Sequence, residues 1–398
     1  AAHFPSVVVT GARQVGKSTL VRHLFGDTHR EVVFDPVTDV GNARADPDLF
    51  LDNNPPPLVL DEVQYAPELV PALKRRIDRD RSPGQYVLTG SQQWGVMRSI
   101  AESLAGRTVF ADLEGFSLSE LAEQPAGWLQ QWLTDPEIVV AGARRLPLTR
   151  SLYEQLWRGF LPEAQELPEE YVPDFHEAYR RTYLERDVRV MGEVSDLQTF
   201  VRFIRLAAAL TAQEVNYSQL GRELGLTPQT AKRWLGLLTA TFQWFEVPAY
   251  SGNAVKRVSG KPKGYLADTG VACAAQVISS PTALGGHPLL GPVFETAVAA
   301  DIRKQCAVLS PRPVMYHWRT QGGAEVDLLL EWNGRFYPLE IKAKSNPSRR
   351  DTSGILAFRN SYPGLDIAPG LVIAPTDVVR RVSELDYCLP WDCTVPAG

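Results

Sequence analysis

Two sets of residues in this sequence have types and spacings suited to chemistry. The first begins at Gly11 and runs Gly-Ala-Arg-Gln-Val-Gly-Lys-Ser-Thr to Thr19, a GxxxxGK[ST] pattern. Its glycines allow backbone N–H groups to close around phosphate oxygens without Cβ clashes. A helix starting near Lys17 would aim the positive end of its dipole at the same oxygens. Gly11, Ala12, Arg13, Gln14, Val15, Gly16, Lys17, Ser18 and Thr19 are therefore the expected nucleotide-binding residues. Lys17 would reach the β and γ phosphates and Ser18 would coordinate Mg²⁺. About fifty residues on, the apolar run LVL ends in Asp61 and Glu62. Asp61 is placed to hold the Mg²⁺ shell, and Glu62 to orient and polarise an attacking water. A further apolar run, QYVLTGS, ends with Thr89 and Ser91. Ser91 is preferred over Thr89 as a γ-phosphate sensor, and either is also compatible with a plain turn. Arg107 precedes another β-rich run. Its spacing fits a finger acting on a neighbouring subunit's γ-phosphate and equally fits a surface arginine.

The second set lies near the C-terminus. Asp327 is followed thirteen positions later by Glu340-x-Lys342, and Asn333-Gly334 between them is a strong hairpin signal. On adjacent strands Asp327 and Glu340 would meet at one edge and share a divalent cation, with Glu295 of an upstream helix as a third carboxylate. Lys342 lies two residues beyond Glu340, on the same strand face, where it would stabilise a hydroxide or a developing phosphorane charge. The D…ExK spacing is that of the restriction-endonuclease-like core. The competing reading is a hairpin whose charged residues line a solvated or interaction edge.

The elements that must position these groups are legible as patterns. Strands are expected at 6–10, 31–35, 57–61, 86–90 and 107–113, and helices at 17–25, 66–80 and 95–104, with Pro71 an alternative start for the second helix. This gives a mostly parallel sheet with helices between its strands over the first 120 residues. Residues 121–200 carry no strand signal. There Tyr179, Tyr183 and Val190 line one helical face. Arg180, Arg181, Arg186 and Arg189 mix with Glu177, Glu185 and Asp187 as on a solvated, ion-paired helix.

Residues 201–275 read as helix, tight turn, helix and strand. Ser218 is the expected cap of the first helix of the pair, Gly225 the turn, Thr227 the cap of the second and Pro228 its first residue. Gln229, Thr230, Lys232 and Arg233 stand near the start of that second helix, where a recognition helix meets DNA. Lys256, Arg257, Lys261 and Lys263 follow in what reads as a hairpin-like wing. Such a unit contacts DNA in some proteins and serves as a protein-interaction module in others. Residues 276–398 form the remaining α/β region.

Composition bounds these readings. The 398 residues exceed one compact core, so several domains are expected. A net charge of −5 argues against a general polyanion binder but not against a local basic face. No apolar run is long enough to span a membrane. The opening AAHFPS lacks a basic stretch before an apolar one, so no signal peptide is expected, and the absent initiator Met predicts that the natural chain starts earlier. Four cysteines without a CxxC pair fit a reducing cytoplasm and give no zinc site.

With these residues assembled, the chain resembles a prokaryotic family of AAA-type ATPases. Members join a P-loop AAA-type domain to a winged helix and a C-terminal restriction-endonuclease-like domain of unassigned function. The matching segments are GARQVGKSTL, LVLDEVQ, YVLTGSQ, SLAGRT with FSLSEL, RGFLPE, YLERDV, GYLADTG and EVDLLLE…LEIKA, which run over nearly the whole chain. The resemblance implies an α/β fold, ATP and Mg²⁺ at Lys17, Ser18, Asp61 and Glu62, Arg107 as a finger candidate and a homo-oligomer. The expected function is an Mg²⁺-dependent ATPase whose nucleotide state is coupled to the winged-helix and C-terminal regions, acting on DNA. The alternatives are an ATP-gated DNA nuclease and a DNA- or protein-binding regulator with an inert nuclease-like fold. Val326 stands before Asp327 where the family pattern has proline.

Overall fold

Apolar β-branched runs and helical repeats alternate along the first 115 residues, and the chain folds accordingly. The structure, a computed structural model, describes residues 2–91, 103–125, 127–183, 188, 194 and 196–395. Contacts group the chain into two compact units. One holds Ala1–Gly115, Glu185–Met191 and Gly236–Gln243; the other holds Phe116–Leu184, Gly192–Leu235 and Trp244–Gly398.

The first unit is built on β1 (Ser6–Gly11), α1 (Lys17–Phe25), β2 (Arg30–Val33), α2 (Pro47–Asn53), β3 (Leu58–Asp61), α3 (Leu69–Arg79), β4 (Tyr86–Gly90) and β5 (Thr108–Leu113). All five strands are parallel, in the order β2-β3-β4-β1-β5. Alternation of side chains along a strand sends residues to opposite faces. Val8, Leu58, Leu60 and Leu88 thus pack with Phe50, Leu73 and Ile77 on one face, while Val7, Val9, Val59 and Val87 pack with Val21 on the other. This two-sided burial explains why the central strands are continuous apolar runs. The strand ends lie within two residues of those expected. The third helix starts at Leu69, with Pro71 in its first turn where a missing N–H costs nothing. Helix α2 was not anticipated, although Asp46 caps it through the Leu49 N–H and Pro47 opens it. Most of the helix expected at 95–104 lies outside the described residues.

The second unit begins with short helices, including α4 (Leu152–Arg158) and α5 (Val172–Thr182). Tyr179 and Tyr183 are buried, and Glu177 pairs with Arg180 at 2.6 Å and Arg181 at 3.0 Å, the ion-paired pattern expected. Glu185, Arg186, Asp187, Arg189 and Val190 lie outside the described residues. Two separated motifs, RGFLPE and GYLADTG, are brought together. The Asp268 carboxylate accepts from the Phe160 N–H at 2.7 Å, and the His176 ring meets the Arg158 carbonyl at 3.0 Å.

Next come α6 (Leu197–Ala209), β6 (Gln213–Glu214), α7 (Tyr217–Leu224), α8 (Pro228–Ala240), β7 (Trp244–Val247), α9 (Ala254–Ser259) and β8 (Lys263–Leu266). The three strands form an antiparallel sheet with β8 between β6 and β7. Gly225 supplies the left-handed turn between α7 and α8, and Thr227 caps α8 through the Thr230 N–H at 3.1 Å. Asn216, not Ser218, caps α7: its side chain accepts from the Gln219 N–H at 3.1 Å, so the helix starts two residues earlier. The connection between β7 and β8 is not a bare hairpin, because Asn253 caps the short helix α9 within it.

The C-terminal part contains α10 (Leu290–Ala307), β9 (Val314–Arg319), β10 (Glu325–Trp332), β11 (Arg335–Ile341), α11 (Ser353–Ser361), β12 (Leu371–Ala374) and β13 (Tyr387–Pro390). Its sheet is mixed: β9, β10 and β11 are antiparallel neighbours, and β12 and β13 continue it in parallel. Asn333 and Gly334 both have positive φ, as a two-residue turn requires, and Trp332 pairs with Arg335 across it. No helix among the described residues is long and apolar enough to cross a membrane.

Candidate functional site

The glycine-rich loop follows β1, and its shape is set by one close approach. Gly11 has φ +152°, and a Cβ there would lie 2.1 Å from the Leu113 carbonyl oxygen, so no other residue fits. Gly16, at φ +90°, ends the loop and starts α1. Lys17 is buried, and its ammonium donates to the carbonyls of Gly11 at 3.0 Å and Ala12 at 2.7 Å. Arg13 is half-buried, Gln14 and Thr19 are exposed, and Ala12 and Val15 are buried.

Strand order brings the remaining groups to this loop. Because β4 lies between β1 and β3, the ends of all three strands meet beyond the sheet edge. There the Ser18 hydroxyl donates to Asp61 Oδ2 at 2.9 Å. Thr89, fully buried on β4, donates to Asp61 Oδ1 and accepts from the Glu62 N–H at 3.1 Å. Glu62 itself has φ +58°, a left-handed conformation that costs a non-glycine residue about 1–3 kcal/mol. Gln64 donates to the Glu62 carboxylate and, at 3.4 Å, to the Ser91 hydroxyl. Lys17, Ser18, Asp61, Glu62 and Thr89 are thus assembled, with Ser91 reached through Gln64. Arg107 is engaged elsewhere: its guanidinium meets Asp78 at 2.5 Å and the Ala105 carbonyl at 3.0 Å.

Mg²⁺ needs near-octahedral oxygens at about 2.0–2.1 Å, which sets neighbouring ligands about 2.9 Å apart. The Ser18 and Asp61 oxygens have that separation. They fit the metal, and Ser18 and Asp61 would hold it, its positive charge offsetting that of a bound nucleotide.

The second set of residues converges wholly within the C-terminal part of the second unit. Leu328 pairs with Leu339, so Asp327 and Glu340 are next in register on β10 and β11. Lys342 donates to Asp327 Oδ2 at 3.0 Å and Glu340 Oε2 at 2.6 Å. Helix α11 closes over this edge because Gly354 has no side chain: a Cβ there would lie 1.7 Å from the Glu325 carbonyl oxygen and 2.4 Å from Glu340 Oε1. From α10, Glu295 joins through an unforeseen residue, Lys263, whose ammonium lies 2.6 Å from Glu295 Oε1 and 3.2 Å from Asp327 Oδ1. Tyr265 donates its hydroxyl to the same Glu295 oxygen at 2.9 Å.

Burial and mutual charge set the protonation of this cluster. Burial pushes Glu295 up to about 7, helped by the Asp327 charge and opposed by Lys263 and Tyr265. Burial and Asp327 also raise Glu340 well above the usual carboxylate range. Burial alone would raise Asp327, but Lys263 and Lys342 outweigh it and hold Asp327 well below its ordinary value. Burial would lower both lysines, yet the surrounding carboxylates raise them and keep them charged.

Residues 3–122 match the model of a family described as AAA domain. Residues 149–282 and 290–394 match two domains of unknown function, DUF8612 and DUF4143. Uncharacterized protein Rv2008c of Mycobacterium tuberculosis and uncharacterized protein Mb2031c of Mycobacterium bovis are each 30% identical to this chain, over 97% of it and 83% of theirs. The chain belongs to the family of these two proteins. Its first unit is a P-loop domain of the AAA type, whose fold implies ATP binding. The Thermotoga maritima RuvB Holliday junction branch migration motor is 14% identical over 61% of this chain and 82% of that chain. Its TM-score of 0.28 is too low to equate the two folds.

In this family member the DNA-contact candidates are divided. Gln229, Lys232 and Arg233 are exposed at the start of α8, and Lys232 lies 6.0 Å from the Tyr217 ring. Thr230 is partly covered and shares a hydrogen bond with Thr227. Lys256 is exposed on α9. Arg257 stacks on Tyr250 at 4.7 Å and donates to the Ser251 carbonyl at 3.0 Å. Lys263 is not on a wing surface at all: it is buried in the carboxylate cluster. A signal was available, since Lys263 and Tyr265 alternate onto one face of β8. Thr89 was the less favoured of two sensor candidates, and its contacts to both Asp61 and Glu62 follow from a strand order that periodicity does not reveal.

Proposed function

We propose that this chain is an Mg²⁺-dependent ATPase that couples its nucleotide state to the helix–turn–helix and C-terminal elements and acts on DNA. The observation carrying the reading is the assembly of Lys17, Ser18, Asp61 and Glu62 at the ends of parallel strands β1 and β3, with β4 between them. Backbone amides from Gly11 to Thr19 would cradle the phosphates. Lys17 would exchange its bonds to the loop carbonyls for phosphate oxygens, a substitution of one set of oxygen acceptors for another. Ser18 and Asp61 would hold Mg²⁺, while Glu62 aligns the attacking water and Ser91 senses the γ-phosphate through Gln64. Arg107 would serve a neighbouring subunit's site after leaving Asp78, which requires a homo-oligomer. The exposed Gln229, Lys232 and Arg233 on α8, with Thr230 beside them and Lys256 on α9, are the proposed DNA contacts. Arg257 contributes only if it leaves its aromatic stack.

Phosphate release with and without DNA, over a range of protein concentration, tests this. Lys17→Ala should abolish turnover by removing nucleotide binding, and Glu62→Gln should retain ATP without hydrolysing it. Unchanged turnover in both variants refutes the reading. DNA affinity should fall with salt, and neutralising Lys232, Arg233 and Lys256 should flatten that slope.

A further inference from the structure

The carboxylate cluster of the second unit does not fit a divalent cation as it stands. Such an ion needs several oxygens around one centre at about 2.0–2.6 Å. Here the carboxylates are joined pairwise through nitrogen. Lys263 bridges Glu295 and Asp327, and Lys342 bridges Asp327 and Glu340. Asp327 therefore carries an ammonium on each oxygen, and its Oδ2 also accepts the Ile341 N–H at 2.9 Å. Among the described residues no group of three or more His, Cys, Asp or Glu side chains is arranged to hold a metal ion.

We propose that Lys263 is a built-in cation standing in the divalent-metal position between Glu295 and Asp327, so that the cluster is closed to metal while its ammonium is present and becomes a metal site when that ammonium is removed. The proposal is independent of the ATPase reading, because every residue in it lies in the second unit.

Three features support it. Lys263 comes from β8, outside the hairpin that carries Asp327, Glu340 and Lys342, and its side chain is only 10% exposed. Inserting an ammonium there costs several kcal/mol of desolvation, which is offset only by close carboxylates. The strand that delivers it is matched to its target, since Tyr265, two residues on, donates to the same Glu295 oxygen. Lys263 also supplies positive charge that these carboxylates would otherwise draw from a cation. Access is not what keeps metal out. A polar cleft of about 470 Å³, lined by Lys263, Glu295, Glu325 and His317 among others, reaches Lys263 and Glu295. Exclusion then falls to Lys263 itself.

Mn²⁺ binding to the nucleotide-free full-length chain, counted by electron paramagnetic resonance, tests the proposal. The wild type and Asp327→Asn should bind Mn²⁺ alike. Lys263→Met should gain one bound ion, at least roughly tenfold tighter than any wild-type binding, because it frees two carboxylate ligands. The gain should vanish in Lys263→Met with Asp327→Asn and be absent in Lys263→Arg, which keeps the charge. Loss of a bound ion on introducing Asp327→Asn into the wild type overturns the proposal, as does a folded Lys263→Met that gains none. Should Lys263→Met fail to fold, Lys263→Gln takes its place, and the comparison of wild type with Asp327→Asn stands in either case.

Discussion

Thr89→Val is the substitution that most sharply tests how the nucleotide site is held together. Valine keeps the shape of threonine but has no hydroxyl. The change removes one hydrogen bond to the buried Asp61 carboxylate and one from the partly buried Glu62 N–H, both made by a fully buried hydroxyl. A bond to a charged group contributes about 1.5–3 kcal/mol, and a neutral one about 1 kcal/mol. The Glu62 N–H, partly shielded from water, loses its partner in a backbone already held at positive φ. A total loss of about 2–4 kcal/mol follows. Part will appear as lower stability and part as freedom of Asp61 and Glu62 to leave their working positions. If half reaches the transition state, kcat falls by about 5–30-fold. The assay is steady-state phosphate release with Mg²⁺, alongside affinity for a non-hydrolysable ATP analogue. The analogue should still bind, because Lys17 and the loop are untouched. Thr89→Ser restores the hydroxyl and should recover most of the rate. Turnover of Thr89→Val within about twofold of wild type would refute the argument, since a loss below 0.5 kcal/mol is too small for these bonds to position anything. A large loss in Ser91→Ala together with normal Thr89→Val would give the sensing role to Ser91 alone.

Two further outcomes follow from the same geometry. Glu295 has a folded pKa raised from 4.5 to about 7, so its contribution to stability is fully present below pH 4.5 and is lost as pH rises through about 7. At 1.36 kcal/mol per pH unit this amounts to about 3 kcal/mol, and Glu295→Gln should remove that part of the decline in denaturant unfolding measured between those pH values; a profile unchanged by Glu295→Gln contradicts the assignment. Arg107→Ala should lower turnover by about 10³-fold while leaving analogue affinity intact, as loss of an arginine finger does. Mixing that variant with Lys17→Ala should then restore activity in shared sites, and a mixture no more active than its components would return Arg107 to its ion pair with Asp78.

Local chemistry was more legible in the sequence than assembly. The loop from Gly11 to Thr19 and the Asp61-Glu62 pair could be read because each sits at the end of an apolar strand, so type and spacing alone fix the loop's backbone and the pair's direction. The Asn333-Gly334 turn could be read because its two positive φ values demand those residues. The position of β4 between β1 and β3 could not, since pairing order in a parallel sheet depends on crossovers rather than on periodicity. The contacts of Thr89 to Asp61 and Glu62 were not legible for that reason. Lys263 failed differently. In a run with Lys256, Arg257 and Lys261 it looked like one more exposed cation, and charge runs are usually solvated. Its alternation with Tyr265 was the one local hint; the partner strands show that β8 turns it inward, and α10 shows which carboxylate receives it.

That failure bears on how the C-terminal region should be understood. A D…ExK spacing specifies where three charged side chains emerge from a hairpin, but not what neutralises them. Buried carboxylates of like charge repel, and each must find a proton, a metal or a cationic side chain. In this chain Lys342 comes from the hairpin itself, and the second neutralising charge comes from a strand some sixty residues earlier, one that also closes the sheet beside the helix–turn–helix. The cluster therefore ties β8 to β10 and α10, whether or not any bond is ever cut there. Displacing Lys263 would unbalance two carboxylates, Glu295 and Asp327, and loosen that tie in one step, so metal loading and the placement of the three-stranded sheet cannot vary independently.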